Sequence, residues 1–230
     1  MKKATAIIAA MFIAYYSFSQ TPSFSVQGGL NLYCQDHIQD ATTESWNEDF
    51  ILYSSPDRVQ SIKKVKFITG FNIGVNVSVP LATQWVFKPG LQFNIKGGKA
   101  KGMYGSGGQS YPFSGGTVLG YIDVPLSFQY WINKKMYLEL GPQVGFLLTA
   151  KYKENDDGDN YESTDKSDYN KLEASICGGG GYLFGDSGFG VFARFMQGLT
   201  KVDKSESYYS NVRNSTGQYG VFYNISRAKK

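Results

Sequence analysis

Along "FITGFNIGVNVSVPL" (residues 67–81) apolar side chains recur at every second position. Phe67, Phe71, Ile73, Val75, Val77 and Val79 share one side of an extended chain with Thr69. Gly70, Asn72, Gly74, Asn76 and Ser78 share the other with Ile68. A period of two predicts a β-strand with unlike faces. Its polar face lacks the Lys, Glu and Thr that suit water, and Gly and Asn are poor strand formers. Small polar groups fit a crowded interior, so the apolar face must look outward, into lipid.

The same alternation recurs downstream. "WVFKPGLQFNIKG" sets Trp85, Phe87, Leu91, Phe93 and Ile95 against Lys88, Gly90, Gln92, Asn94 and Lys96. "YIDVPLSFQYW" sets Ile122, Val124, Leu126, Phe128 and Tyr130 against Tyr121, Asp123, Ser127 and Gln129. "MYLELGPQVGFLLTA" sets Met136, Leu138, Leu140, Val144, Phe146 and Leu148 against Tyr137, Glu139, Gly141, Gln143 and Gly145. Segments of about ten alternating residues separated by turns are the signature of a transmembrane β-barrel.

Strands are expected at about 23–33, 64–79, 85–98, 117–131, 136–150, 170–184, 188–201 and 216–227. The second, fourth and sixth end in the tight links "PLATQ", "INKK" and "GDS", whereas the other links are long and polar. Short turns at one end and long loops at the other are what bacterial outer-membrane barrels carry. The expectation is all-β: an eight-stranded, antiparallel, up-and-down transmembrane barrel. Trp85, Tyr130, Trp131, Tyr137, Tyr182, Phe184 and Phe189 lie beside the short turns, where an interfacial aromatic girdle belongs. The last strand, "QYGVFYNI", resembles the C-terminal insertion signal of such barrels, although "SRAKK" follows where that signal ends on an aromatic.

The start of the chain follows another rule. "MKKATAIIAAMFIAYYSFSQ" has a basic beginning, an apolar middle and small residues at Ser17 and Ser19, the tripartite form of a secretory signal. Residues 1–19 are expected to be a cleaved signal peptide and 20–230 the barrel domain, exported to the cell outer membrane. Loss of Lys2 and Lys3 lowers the formal charge of +4 to +2, too close to neutral to favour nucleic acid. The 2 cysteines, Cys34 and Cys177, sit in unlike contexts and are expected to be free thiols.

"GGLNL" (28–32), "YIDVPL" (121–126), "LGPQVGFLL" (140–148), a Gly-rich sixth strand and "FARF…GLT" (192–200) together resemble the PorT-like porin family. That resemblance implies an eight-stranded outer-membrane barrel with both termini in the periplasm. It also implies an association with protein secretion across that membrane.

Catalytic chemistry finds little support in the sequence. His37, the 1 histidine, lies in the first long link near Asp36 and Asp40. A lipid A-modifying enzyme of the outer membrane would need a partnered histidine there, but no serine or carboxylate can be assigned to it. "ENDDGDN" (154–160) lacks the ordered spacing of a calcium loop and reads as a solvated acidic segment. "CGGGGYLFGDSGFG" lacks the Lys-Ser/Thr of a phosphate-binding loop, so its glycines are assigned to close strand packing, and no cofactor is expected.

The candidate site residues are the charges placed on the inner face: Lys88, Lys96, Asp123, Glu139, Glu173 and Arg194. Side chains fill a barrel this narrow, and an unpaired interior charge is costly. They are expected to form salt bridges that close the lumen, with a small pore as the rival. The function expected is that of a non-enzymatic envelope protein. Its expected partners are outer-membrane lipid, lipopolysaccharide, and other envelope or secretion proteins.

Overall fold

The computed structural model describes residues 22–36, 50–55, 58–66, 68–106, 109–156, 159–202, 204 and 213–225. The signal segment, His37 and Asp40 lie outside them. Among the described residues eleven strands follow in chain order: β1 (Ser23–Asp36), β2 (Phe50–Ser55), β3 (Arg58–Lys66), β4 (Ile68–Pro80), β5 (Trp85–Ser106) and β6 (Gln109–Trp131). Then come β7 (Met136–Asp156), β8 (Asp159–Ser163), β9 (Leu172–Leu183), β10 (Phe189–Gly198) and β11 (Arg213–Asn224).

Eight of these are staves of a closed barrel, in the order β1, β4, β5, β6, β7, β9, β10, β11, with β11 returning to β1. Every pairing is antiparallel and every neighbour is the next stave in sequence, the up-and-down arrangement. The register runs from Glu173 through Gly145, Asp123, Gln92, Gly74, Gln27, Phe222 and Gly190, and returns to β9 at Leu183. From 173 to 183 is a shear of 10 residues around eight strands. At about 3.3 Å per residue and about 4.8 Å between strands, that shear tilts them by about 40° and gives a backbone radius of roughly 8 Å. Side chains fill so narrow a tube.

The faces are inverted relative to a water-soluble sheet. Ile73 and Leu140 are each 60% exposed, while Asn31 and Gln218 are fully buried. Phe24, Leu30, Phe71, Leu91, Leu138, Phe146, Ile176, Phe195 and Val221 continue the apolar belt around the outside. Lipid, where burial of each such side chain contributes about 1.5–3 kcal/mol, is the solvent that makes this arrangement stable.

The three short links fold as local turns. Leu81 N–H donates to Trp85 O at 2.8 Å, and Asn133 Oδ1 accepts from the amides of Lys135 (2.8 Å) and Met136 (2.9 Å). In the third, Gly185 and Gly188 take φ of 53° and 78°, conformations open to glycine without strain. Beside these turns Trp85 packs on Tyr130 at 5.1 Å, and Phe184 lies between Tyr182 and Phe189 at 5.3 and 5.9 Å. Trp131 and Tyr137 do not belong to that girdle. Tyr137 shares the inward parity of Glu139 and is 2% exposed, and Trp131 packs against its ring at 5.1 Å.

The long links differ from the expected loops. β5 and β6 continue as a ribbon to the pair Ser106–Gln109, with Tyr104 opposite Tyr111. β3 pairs with the upper part of β5, β2 pairs with β3, and β8 pairs with the upper part of β7. The acidic segment is therefore largely strand, spanning the end of β7 and the start of β8. A tall wall built on β5, β6 and β7, strands of 22, 23 and 21 residues, stands beside a low one of β9 and β10, with 12 and 10.

Candidate functional site in the barrel interior

All six inward charges are buried, none more than 5% exposed. The structure sorts them into two tiers. In the outer tier, nearer the long links, Lys96 Nζ lies 3.0 Å from Asp123 Oδ2 and 2.7 Å from Glu173 Oε1. Amides satisfy the rest of both carboxylates: Asn94 Nδ2 donates to Asp123 at 2.6 Å, and Asn214 Nδ2 donates to Glu173. Gln218 donates to Asn94 Oδ1, Asn31 to the carbonyls of Phe71 and Ile95, and Asn72 to Asn31 Oδ1. The network joins β5, β6, β9, β11, β1 and β4. Lys96 also sits 4.8 Å from the centre of the Tyr121 ring. Gly145, opposite Asp123 in the ladder, leaves the carboxylate its room, because a Cβ there would collide with Asp123 Oδ1.

In the inner tier, nearer the short turns, Arg194 Nε lies 3.0 Å from Glu139 Oε1. Neither atom makes a well-directed hydrogen bond, so the contact is Coulombic. Gln129 Nε2 donates to the other oxygen of Glu139 at 3.1 Å, and Arg194 Nη2 donates to Gln27 Oε1 at 3.2 Å. Asn76 donates to the same Gln27 oxygen at 2.9 Å. Among the described residues Lys88 has no ion-pair partner. Its ammonium stands 5.1 Å from the Phe222 ring centre and 5.8 Å from that of Tyr137, cation–π contacts that soften its desolvation. Among the described residues, ion pairs take in five of the six charges, and aromatic faces hold the sixth.

The outer tier holds one cation and two carboxylates, the inner tier two cations and one carboxylate, so the opposite imbalances cancel within the tube. Between them Gln92 and Gln143 have neither amide end bonded to protein. Apolar clusters lie toward both ends. Tyr137, Leu183, Phe192 and Phe222 fill the turn end. Leu119, Tyr121, Leu147, Ala150 and Val202 fill the other. Val202 arrives on the link after β10, which is bonded to the link before β9 through Asn170 N–H to Val202 O (2.8 Å) and Lys204 N–H to Asp168 O (2.9 Å).

Sequence parity places the six charges inside but not their amide companions as site members. Asn31, Asn94, Asn214, Gln27 and Gln218 carry the same inward signal, and what joins them is the shear. Lys96 stands opposite Leu119 in the ladder yet reaches Asp123, because tilted strands bring diagonal neighbours together. Cys177 is buried and free, with its sulfur 3.6 Å from Ser127 Oγ. Among the described residues no group of His, Cys, Asp or Glu could hold a metal ion.

Solved structures that the chain resembles include bacterial outer-membrane and surface proteins. The attachment invasion locus protein Ail of Yersinia pestis is 13% identical, with 89% of this chain and 97% of that one covered at a TM-score of 0.43. Neisserial surface protein A is 11% identical over 90% and 100%, also at 0.43. The OmpT outer membrane protease of Escherichia coli is 11% identical over 89% and 96%, at 0.38. No curated protein matches the sequence. Residues 18–204 match the model of the outer membrane protein β-barrel domain. The chain belongs to that family.

Proposed function

We propose that this protein is a non-enzymatic, non-conducting barrel of the outer membrane that acts through its outer wall as an interaction protein of the envelope. The observation that carries this reading is the filled interior: two tiers of charge, five of six charges ion-paired, between apolar clusters toward both ends. A lumen so tied supports neither passage of solutes nor a substrate cavity. Strands β5, β6 and β7, extended by β2, β3 and β8, offer a raised sheet on one side instead. The resemblance of "YIDVPL" and "LGPQVGFLL" to PorT-like proteins supports an accessory role in protein secretion. Residues 1–19 act as the export signal, so the mature chain begins at Gln20.

Capture of the tagged protein from outer membranes in mild detergent tests the role. Stoichiometric recovery of secretion components is the expected result, and recovery of the barrel alone would remove the accessory role. Mass measurement of the same sample is expected to give a chain starting at Gln20; an uncleaved N-terminus would refute the signal assignment.

A further inference from the structure

The ladders of the tall wall carry lysines in an unusual register. Lys66 on β3 stands directly opposite Lys99 on β5, and Lys64 opposite Lys101. Lys99 then faces Gly116 on β6, and Gly116 faces Lys153 on β7. Lys151 lies opposite Val118 one step below. Like charges directly opposed across an antiparallel ladder destabilise it.

Local geometry aims part of this band outward. Tyr121 pairs with Leu147 and Gly120 with Thr149, so the ladder slips by one residue at Leu148. Leu147 is buried, Leu148 and Thr149 are both exposed, and parity is reversed beyond them. Without that bulge Lys151 and Lys153 would enter the lumen; with it they join the exposed Lys99 outside. β6 offers no carboxylate between the rows, only Gly116 and Ser114. A Cβ on Gly116 would meet only ordinary van der Waals contacts at 3.5 Å or beyond, so no side chain fills the step between Lys99 and Lys153. Among the described residues Glu162 pairs with Lys153 at 3.0 Å, a solvent-exposed contact that contributes little.

The height of the band identifies its counter-charge. Lys99 stands four residues above Ile95, and Lys151 three above Leu148, the nearest outward apolar side chains below them on their strands. The lysines therefore lie at the rim of the hydrocarbon, where lipid phosphates are found and basic clusters collect anionic headgroups. We propose that this collar binds the phosphate groups of the outer-leaflet glycolipid, lipopolysaccharide, relieving the cross-strand repulsion and orienting the tall wall in the leaflet. The proposal rests on the outer-membrane reading above.

The full chain, extracted from outer membranes and showing the heat-dependent gel mobility of a folded barrel, is titrated with phosphorylated lipid A, with the same lipid freed of phosphate, and with inorganic phosphate. The phosphorylated lipid is expected to bind at least tenfold more tightly than the dephosphorylated one. The K99Q/K151Q/K153Q variant is expected to lose that preference while keeping its gel mobility. If the triple variant does not fold, K151Q alone is expected to weaken binding about threefold. Equal affinity for the two lipids, or a preference undiminished by the substitutions, overturns the collar while leaving the barrel in its membrane. Displacement by inorganic phosphate at equal concentration overturns the assignment to lipid. Absence of the protein from the outer-membrane fraction overturns the membrane reading itself.

Discussion

The two interior tiers are both built of buried charges and amides, and they differ in how completely the charges are satisfied. Around Lys96 one ammonium serves two carboxylates, and amides from five further side chains extend the network across six staves. Around Glu139 one carboxylate answers two cations, the Arg194 contact is poorly directed, and Lys88 rests on aromatic rings. Burial raises the value of every completed bond and the cost of every missing one. The outer tier should therefore act as the staple of the barrel, and the inner tier as the more tolerant layer.

Removing the hub of the outer tier is the harshest test of that contrast. Lys96→Met leaves Asp123 and Glu173 buried without a cation and should lower stability by about 3–5 kcal/mol, read as a shift in the urea midpoint of the lipid-reconstituted barrel. Adding Asp123→Asn and Glu173→Gln to it should recover most of the loss, since neutral amides can share the remaining bonds. Glu139→Gln keeps the shape of the inner tier but leaves Arg194 and Lys88 together, and should cost about 2–3 kcal/mol, less than Lys96→Met. If the inner substitution proves the more damaging, the ranking of the tiers is wrong.

Gly179 stands opposite Arg194, and a Cβ there would lie 2.6 Å from the Arg194 Cα and 2.7 Å from its Cβ. Gly179→Ala should cost about 1–3 kcal/mol by displacing the β9–β10 ladder, again read from the urea midpoint. Lys88→Met retains the stem over Phe222 and Tyr137 and should change stability by less than about 1 kcal/mol, because no ion pair is lost. The smallest effect is coupling. The tiers share no bonding partner and are separated by Gln92 and Gln143, so Lys96→Met and Glu139→Gln should add within about 0.5 kcal/mol.

These contrasts were unevenly legible in the sequence. Period-two alternation located the staves, because each has one face in lipid and one in a crowded interior. Asn72 and Asn76 against Phe71, Ile73 and Val75 was enough to orient β4. The outer ribbon escaped that reading. "KAKGMYGS" and "QSYPFSGG" show no sustained alternation, so nothing in them set them apart from loop. Tyr137 was drawn to the girdle by its nearness to a turn, whereas its parity with Glu139 decides its side. The slip at Leu148 leaves no mark in composition, yet it reverses Lys151 and Lys153. Pairing within the tiers depends on a shear of 10 residues, a property of the closed tube and not of any one strand.

Single-channel recording from the purified barrel in a planar bilayer tests the closed interior most directly. The account predicts no stable open current above that of the lipid alone. Sustained openings whose ion selectivity changes with Glu139→Gln or Arg194→Gln would contradict it.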